Sequence, residues 1–457
     1  MTTAVDLLIV GAGPAGMAAA LEAKAGGLSA LVLDENPAPG GQVWRAAEAN
    51  GADAKWLGTD YAAGAEMVAS FRRSLVPARF GATVWAVEAD GSVFFSIGGA
   101  AGSARPGRIL LATGAMERPM PLPGWTLPGV MTVGAAQILL KTSGLRPRGR
   151  VFLAGQGPLL RLFAQQALTA GGEIAGILDT APPPTSVLGA GELLKLRRAM
   201  PQLLKGLSWG RAIKGAGVSW RRAEAIAAEA GPDGRLARVR FREKGAERTE
   251  AADLLLLHDG LLPGTQLSRA LGLKHAFDAA QRAWRPALDA WGRSSDPRVL
   301  VAGDGAAILG AEAAVLSGRL AAIAAAQDLG RLEAGLARER AAPLLARLAA
   351  QREFRTVLDK LYPARAPQLD DATIVCRCEE VTAGEVRAAA ALGCLGLNQM
   401  KAFTRCGMGP CQGRMCATTA AEVLAQARGV GIEAIEPYRA RFPIKPLTLG
   451  ELATLAA

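Results

Sequence analysis

The sequence predicts an α/β chain of two nucleotide-type folds, one inserted in the other, followed by a small helical cysteine-bearing module. Three observations carry this expectation. A glycine-rich turn, Gly11-x-Gly13-x-x-Gly16, lies between an apolar strand and a helical pattern near the start of the chain. A second strand–turn–helix unit opens at Arg150. All six cysteines of the 457 residues fall between Cys376 and Cys416.

Taken in order, residues 6–10 read as a strand, 14–25 as a helix and 29–33 as a second strand ending at Asp34, one βαβ unit. The second unit has a strand at 150–154, the turn Gly155-Gln156-Gly157, a helix to about Ala170, and a strand at 173–178 before Asp179. The Pro-rich run 181–185 reads as a loop and 186–215 as a peripheral helical stretch. The strand 299–302 ends in Gly303-Asp304 and leads into the Ala-rich segment 311–327, which contains Glu312 and Arg319 and reads as a buried helix. Residues 331–365 are helical and charged, a bridge ended by Pro363 and Pro367. The last stretch, with Pro437, Pro443 and Pro446, reads as an extended tail on the surface or on a partner.

Half of the residues are hydrophobic and a fifth are charged, as in soluble globular proteins. The formal net charge of +11 comes from Lys and Arg spread along the chain, with one cluster at Lys205, Arg211, Lys214, Arg221 and Arg222. A nucleic-acid surface is one reading of that balance, but aromatic interleaving and a recognition motif are missing, so no nucleic-acid partner is expected. Attraction of anionic substrates or partners stays open. The opening MTTAVDLLIVGAGPAG lacks a basic region before a short apolar run, so no signal peptide is expected. Apolar runs such as Leu254 to Leu257 have strand length, and no membrane span is expected. Cysteines with ligand spacing fit a reducing compartment, which points to the cytoplasm. The two histidines, His258 and His275, are remote from the cysteines, which argues against a His-based metal or catalytic site.

In the first turn Gly11 permits a tight bend, Gly13 lets a pyrophosphate approach the backbone, and Gly16 lets helix and strand pack closely. The helix N-terminus then offers free N–H groups and the positive end of its dipole. Asp34, 23 residues after Gly11, is placed to accept hydrogen bonds from a ribose hydroxyl, with Glu35 as its rival. The second turn departs from the pattern, because Leu160 stands where the third glycine would be. A leucine there pushes the helix off the strand, leaving either a weak nucleotide site or a purely structural domain. Asp179 would favour NAD over NADP if either binds.

The cysteines include a Cys-x-Cys pair, Cys376 and Cys378, then Cys406 and Cys411 with four residues between them. Four thiolates suit a [2Fe–2S] centre, and structural zinc is the rival, although its usual spacing differs. Glycines in Arg405-Cys406-Gly407-Met408-Gly409-Pro410-Cys411-Gln412-Gly413 let N–H groups approach sulfur, and Lys401, Arg405 and Arg414 can offset charge at longer range. Cys394 and Cys416 read as small buried hydrophobes.

Residues 34–45, 109–114 and 299–304 resemble, in that order, the acid-then-Gly-Gly segment, the Ala-Thr-Gly strand end and the late Gly-Asp motif of glutathione-reductase-type flavoproteins. The resemblance implies FAD at the first site, held by Gly11, Gly13, Pro14, Ala15, Gly16, Asp34, Glu35, Gly41, Gln42, Arg45, Val84, Ala112, Thr113, Gly114, Gly303, Asp304 and Ala311. A helix N-cap is the plainer reading of Asp304. The Cys-x-x-Cys of disulfide-reducing members is missing from the region.

Residues 374–416 resemble the helical [2Fe–2S] domain of bacterioferritin-associated ferredoxin, which implies Cys376, Cys378, Cys406 and Cys411 as ligands. Over almost its whole length the chain resembles the large FAD-binding subunits of hetero-oligomeric amine dehydrogenases, among them opine oxidases, D-hydroxyproline and proline dehydrogenases and hydrogen cyanide synthase. Glu117-Arg118-Pro119, Pro123 to Val130, Cys376 to Glu380 and Pro443 to Pro446 carry that likeness. It implies a FAD domain at 1–130 and 285–330, a degenerate NAD(P)-type domain at 131–284, a helical linker at 331–370, the [2Fe–2S] domain at 371–430 and a tail at 431–457. It also implies an electron-transfer role beside a smaller FAD-containing, amine-oxidase-like subunit, with room for a third, small ferredoxin-like subunit. The competing readings are a self-contained NAD(P)H-dependent ferredoxin-type reductase and a zinc-bearing scaffold.

Overall fold

A computed structural model describes residues 3–183, 189 and 200–455. The first sheet has seven strands: β1 (Thr3–Val10), β2 (Ala30–Asp34), β3 (Ala78–Phe80), β4 (Thr83–Val87), β5 (Val93–Ile97), β6 (Ala100–Leu111) and β19 (Val299–Val301). Their order is β3-β2-β1-β6-β5-β4, with β19 also on β6. The 12-residue β6 reaches three partners: its first half pairs antiparallel with β5, and the rest lies parallel to β1 and β19. Strand β2 is buried throughout, and so reads as an unbroken apolar run rather than an alternation.

Helix Pro14–Ala25 is rich in alanine because it lies between this sheet and helix Ala311–Asp328. The two helices approach closely where a Cβ on Gly318 would overlap the Ala15 backbone. Both elements, and every strand expected in the two βαβ units, are present to within three residues at their ends.

The chain leaves the first sheet through β7 (Ala115–Glu117) and returns through β16 (Leu261–Pro263), which pair antiparallel. Between them lies a parallel sheet of β8 (Val130–Thr132), β9 (Val151–Gln156), β10 (Gly176–Asp179), β11 (Ser219–Arg222) and β15 (Leu254–Asp259), in the order β11-β10-β9-β15-β8. An antiparallel sheet of β12 (Glu224–Ala230), β13 (Leu236–Glu243) and β14 (Ala246–Ala251) covers it. One fold is thus inserted in the other. Of the stretch expected to be helical from 186, Met200–Gly215 is a helix, and the part before it, Gly189 apart, lies outside the described residues.

A hairpin, β17 (His275–Asp278) and β18 (Ala283–Pro286), precedes β19. The 28-residue helix Ala334–Leu361 packs Ala337, Ala341, Leu344 and Leu348 on helix Ala311–Asp328. The C-terminal module has its own core under the hairpin of β20 (Ile374–Cys376) and β21 (Val381–Thr382), with helices Ala383–Ala391, Leu397–Thr404 and Ala417–Arg428. It is tied to the rest by Trp125 Nε1 donating to the Ile374 carbonyl at 2.8 Å and by Arg282, whose two bonds to Glu422 measure 2.7 and 2.6 Å.

The tail turns back onto the first sheet. Phe442 and Ile444 pack against its core, the Ile444 N–H donates to the Trp85 carbonyl at 2.9 Å, and Lys445 pairs with Glu35. Among the described residues no helix is long and apolar enough to cross a membrane.

Candidate cofactor and thiol sites

The first glycine turn sits at the C-terminal edge of β1. Gly11 has φ +108° and Gly16 has no room for a Cβ beside the Gly11 carbonyl, so both glycines are required by packing. Gly13 is different. A Cβ there would meet only the Gly41 Cα at 3.7 Å, so the space beside the helix N-terminus is open. Pro14 is the first helical residue, and Ala15 and Gly16 follow it in the unbonded first turn. Gly41 borders this space, its own Cβ position lying 2.9 Å from the Gly13 Cα, and Gly114 and Gly310 each leave open space where a Cβ would stand. This arrangement fits a dinucleotide pyrophosphate.

Asp34 is buried and already engaged. Its carboxylate accepts the Ala12 N–H at 2.5 Å and two bonds from Asn36, at 2.7 and 2.8 Å. It therefore fixes the glycine turn. Glu35 is exposed, and its partner is Lys445 of the tail. Asp304 accepts the Leu309 and Gly310 N–H groups at 3.0 Å each on Oδ1, closing the loop before helix Ala311–Asp328. The helix N-cap itself is Gly310, and Ala311 is the first helical residue. Burial holds the Asp304 pKa above the ordinary carboxylate value, which makes an N–H or O–H donor welcome at Oδ2. Thr113 donates to the Gly264 carbonyl at 2.8 Å, Ala112 binds the Val10 carbonyl through its N–H, and Gly303 at φ +72° faces Ala15. Val84 is buried in β4, at the end of the sheet order, where it pairs with Phe95 of β5.

Sequence reasoning missed Lys141. It is buried on helix Val133–Ser143 of the inserted fold and reaches the loop after Gly41, where Nζ donates to the Val43 and Gln42 carbonyls at 2.9 and 3.3 Å. Burial, then the Arg45 charge, lowers its pKa from 10.5 to about 7. Arg45 Nε is itself buried without a partner. A lysine at one position of an amphipathic helix carries no sequence signal of this depth.

The second glycine turn is filled from within. The His258 ring, bonded through Nδ1 to Glu117 Oε1 at 2.6 Å, lies over Gly157, where a Cβ would be 3.2 Å from Nε2. Gln156 donates to Asp259 and to the Pro363 carbonyl at 3.0 and 2.8 Å. Asp179 accepts from Trp220 Nε1 at 3.0 Å and from the Ala181 N–H at 2.9 Å. Arg161 stacks over Trp220 and Tyr362 at 5.0 and 5.8 Å. The segment after the long helix therefore lies across the ends of β9 and β10. Leu160 is buried among Phe163, Leu140 and Val151, so its side chain is core.

The cysteines split into two neighbouring sets. Cys376, Cys406 and Cys416 are buried, with their sulfurs all within 4.8 Å of one another. Cys378 and Cys411 contact each other, with the Cys411 N–H and thiol on Cys378, and Cys376 near enough to perturb it. The four expected thiols are thus divided, Cys376 and Cys406 lying with Cys416 and Cys378 with Cys411, and the two sets adjoin through Cys376. Cys416 is buried as expected of a small hydrophobe, and its sulfur lies with those of Cys376 and Cys406. Cys394 donates to the Gly396 carbonyl at 3.3 Å and stands apart.

The Cys406 pKa is held low by its neighbours, the Cys416 thiol first and then Tyr438 and Cys376, and that of Cys416 is pushed up by its contact with Cys406 and by burial. Soft thiols at this spacing fit a zinc ion or cluster iron. Tyr438 seals the loop. A Cβ on Gly407 or Gly413 would lie 2.6 Å from its ring. The three expected cations have other partners: Arg405 pairs with Glu379 at 2.8 Å, Lys401 lies over Tyr438 at 5.8 Å, and Arg414 donates to the Ile444 carbonyl at 3.3 Å.

A family model described as pyridine nucleotide-disulphide oxidoreductase matches residues 5–330, and one described as sarcosine oxidase A3 domain matches residues 371–456. The opine oxidase A subunit of Rhizobium meliloti is 43% identical over 98% of this chain and 87% of its own length. Hydrogen cyanide synthase subunit HcnB of Pseudomonas aeruginosa is 35% identical over 98% of both chains. The L-proline dehydrogenase structure from P. horikoshii superposes with a TM-score of 0.71 at 20% identity, covering 99% of this chain and 80% of that one, a likeness of fold. The chain belongs to the pyridine nucleotide-disulphide oxidoreductase family, as a relative of the opine oxidase A subunit, and is an FAD-dependent oxidoreductase.

Proposed function

We propose that this member of the family is the FAD- and [2Fe–2S]-containing electron-transfer subunit of a multi-subunit cytoplasmic dehydrogenase acting on CH–NH donors such as opines, proline or hydroxyproline. In this reading a smaller FAD-containing subunit oxidises the substrate, and the present chain passes the electrons between it and an acceptor. The observation that carries the reading is likeness over 98% of the chain to a polypeptide of opine oxidase, joined to three buried thiols whose sulfurs lie within 4.8 Å of one another beside the Cys378–Cys411 pair.

Bound FAD supplies two-electron exchange and an iron–sulfur cluster one-electron exchange. The chain supplies positions and surroundings. Gly13 and the helix N-terminus would receive the pyrophosphate, Glu35 would bind the ribose while Asp34 fixes the turn, and Asp304 would meet the ribityl chain. Four of these thiols would hold the cluster, where Cys376 and Cys406 are fully shielded from water.

The filled second turn supports this reading over an NAD(P)H-dependent reductase. His258 and the segment at Tyr362–Arg365 stand where a second dinucleotide would approach, so the inserted fold serves as a frame. Co-purification with the companion flavoprotein, with iron, sulfide and zinc analysis, tests the assignment. Zinc without iron or sulfide would favour a scaffold. Oxidation of an opine at full rate by this chain alone would overturn the division of labour.

A further inference from the structure

A cavity of about 380 Å³ opens where the first fold, the cysteine loop and the tail meet. Six cations line it: Arg269, Arg282, Lys401, Arg414, Arg439 and Arg441, with no Asp or Glu among the lining residues. Arg282 is neutralised by Glu422. The other five have no carboxylate within ion-pair distance among the described residues: Arg269 uses only Nε, on the Thr265 hydroxyl at 2.9 Å, and Arg414 bonds a carbonyl. Met116, Phe277, Trp284 and Phe442 add an apolar and aromatic wall, with the Phe277 and Trp284 rings 5.6 Å apart.

Five like charges around one partly dry space repel one another and lose hydration, which an enclosed anion reverses. We propose that this cavity is a binding site for a small organic oxyanion, a carboxylate or phosphate carried on an apolar body. The charged end lies among Arg269, Arg414 and the tail arginines, and the body against the aromatic wall. Burial alone lowers the Arg269 pKa to about 10, as expected of a guanidinium awaiting its counter-charge. The cavity adjoins the cysteine loop through Gly407, Gly413, Arg414 and Tyr438, but no cysteine and no residue of the glycine turns lines it.

Calorimetric titration of the full-length, cofactor-loaded protein at low salt tests this, using phenyl phosphate and phenylsuccinate as separate probes. Binding of one probe, weakened roughly tenfold or more by Arg269→Gln and by Arg441→Gln, is the expected result. Arg441 is on the exposed tail, so its replacement leaves the fold intact, and Arg340→Gln on the far helix should change nothing. Preference for one probe identifies the phosphate or the carboxylate as the natural group. Failure of both to bind below about 10 mM, or equal weakening by Arg340→Gln, would overturn the proposal.

Discussion

Lys141 gives the account a quantitative handle. Its ammonium is buried between the two folds, against the Gln42 and Val43 carbonyls, Arg45 and the face of Tyr61, with no carboxylate partner among the described residues. In the folded chain its pKa is about 7, and in the unfolded chain it returns to about 10.5. Between these values the unfolded chain binds the extra proton, so unfolding becomes more costly as pH rises. The penalty is fully present below pH 7 and gone above 10.5. Its full size is about 5 kcal/mol, of which about 2–3 kcal/mol disappears between roughly pH 6 and 9. The assay is urea unfolding of wild type and Lys141→Met across that range, because the difference cancels the other titrating groups. Wild-type stability relative to the variant should climb by that amount. A flat difference would refute the burial argument.

Gly16→Ala should cost about 1–3 kcal/mol and much of the bound flavin, since the new Cβ meets backbone atoms of Gly11 that cannot give way; thermal unfolding and flavin absorbance check this. Cys416→Ser should lose at least half of the bound iron, whereas Cys394→Ser should keep it, a contrast read by metal analysis of both purified variants. Arg282→Ala leaves the buried Glu422 carboxylate unpaired and should destabilise the C-terminal module by roughly 3–5 kcal/mol, measured by urea unfolding or protease susceptibility.

The parallel strands and both glycine turns were legible because buried strands read as unbroken apolar runs and each turn carries its own glycine spacing. The departure at Leu160 was equally visible. What fills the second turn was not, because Gln156 meets Pro363 at 207 residues' remove and no local pattern records such a contact. Asp34 and Glu35 are adjacent, and spacing alone does not say which carboxylate turns inward. The hydrogen bonds from Ala12 and Asn36 decide that. Cys416 is core, as its sequence setting suggested, but spacing did not reveal that its sulfur lies within 4.8 Å of those of Cys376 and Cys406. The tail was expected on the surface or on a partner, and it lies on the first sheet because Phe442 and Ile444 bring apolar surface to it.

The most direct test of the electron-transfer assignment is anaerobic stopped-flow absorbance of the flavin. The isolated chain is mixed with NADH, and the chain with its companion flavoprotein is mixed with opines, proline and hydroxyproline. The account predicts rapid bleaching only in the second arrangement, with one of those amines. Rapid bleaching of the isolated chain by NADH would contradict it.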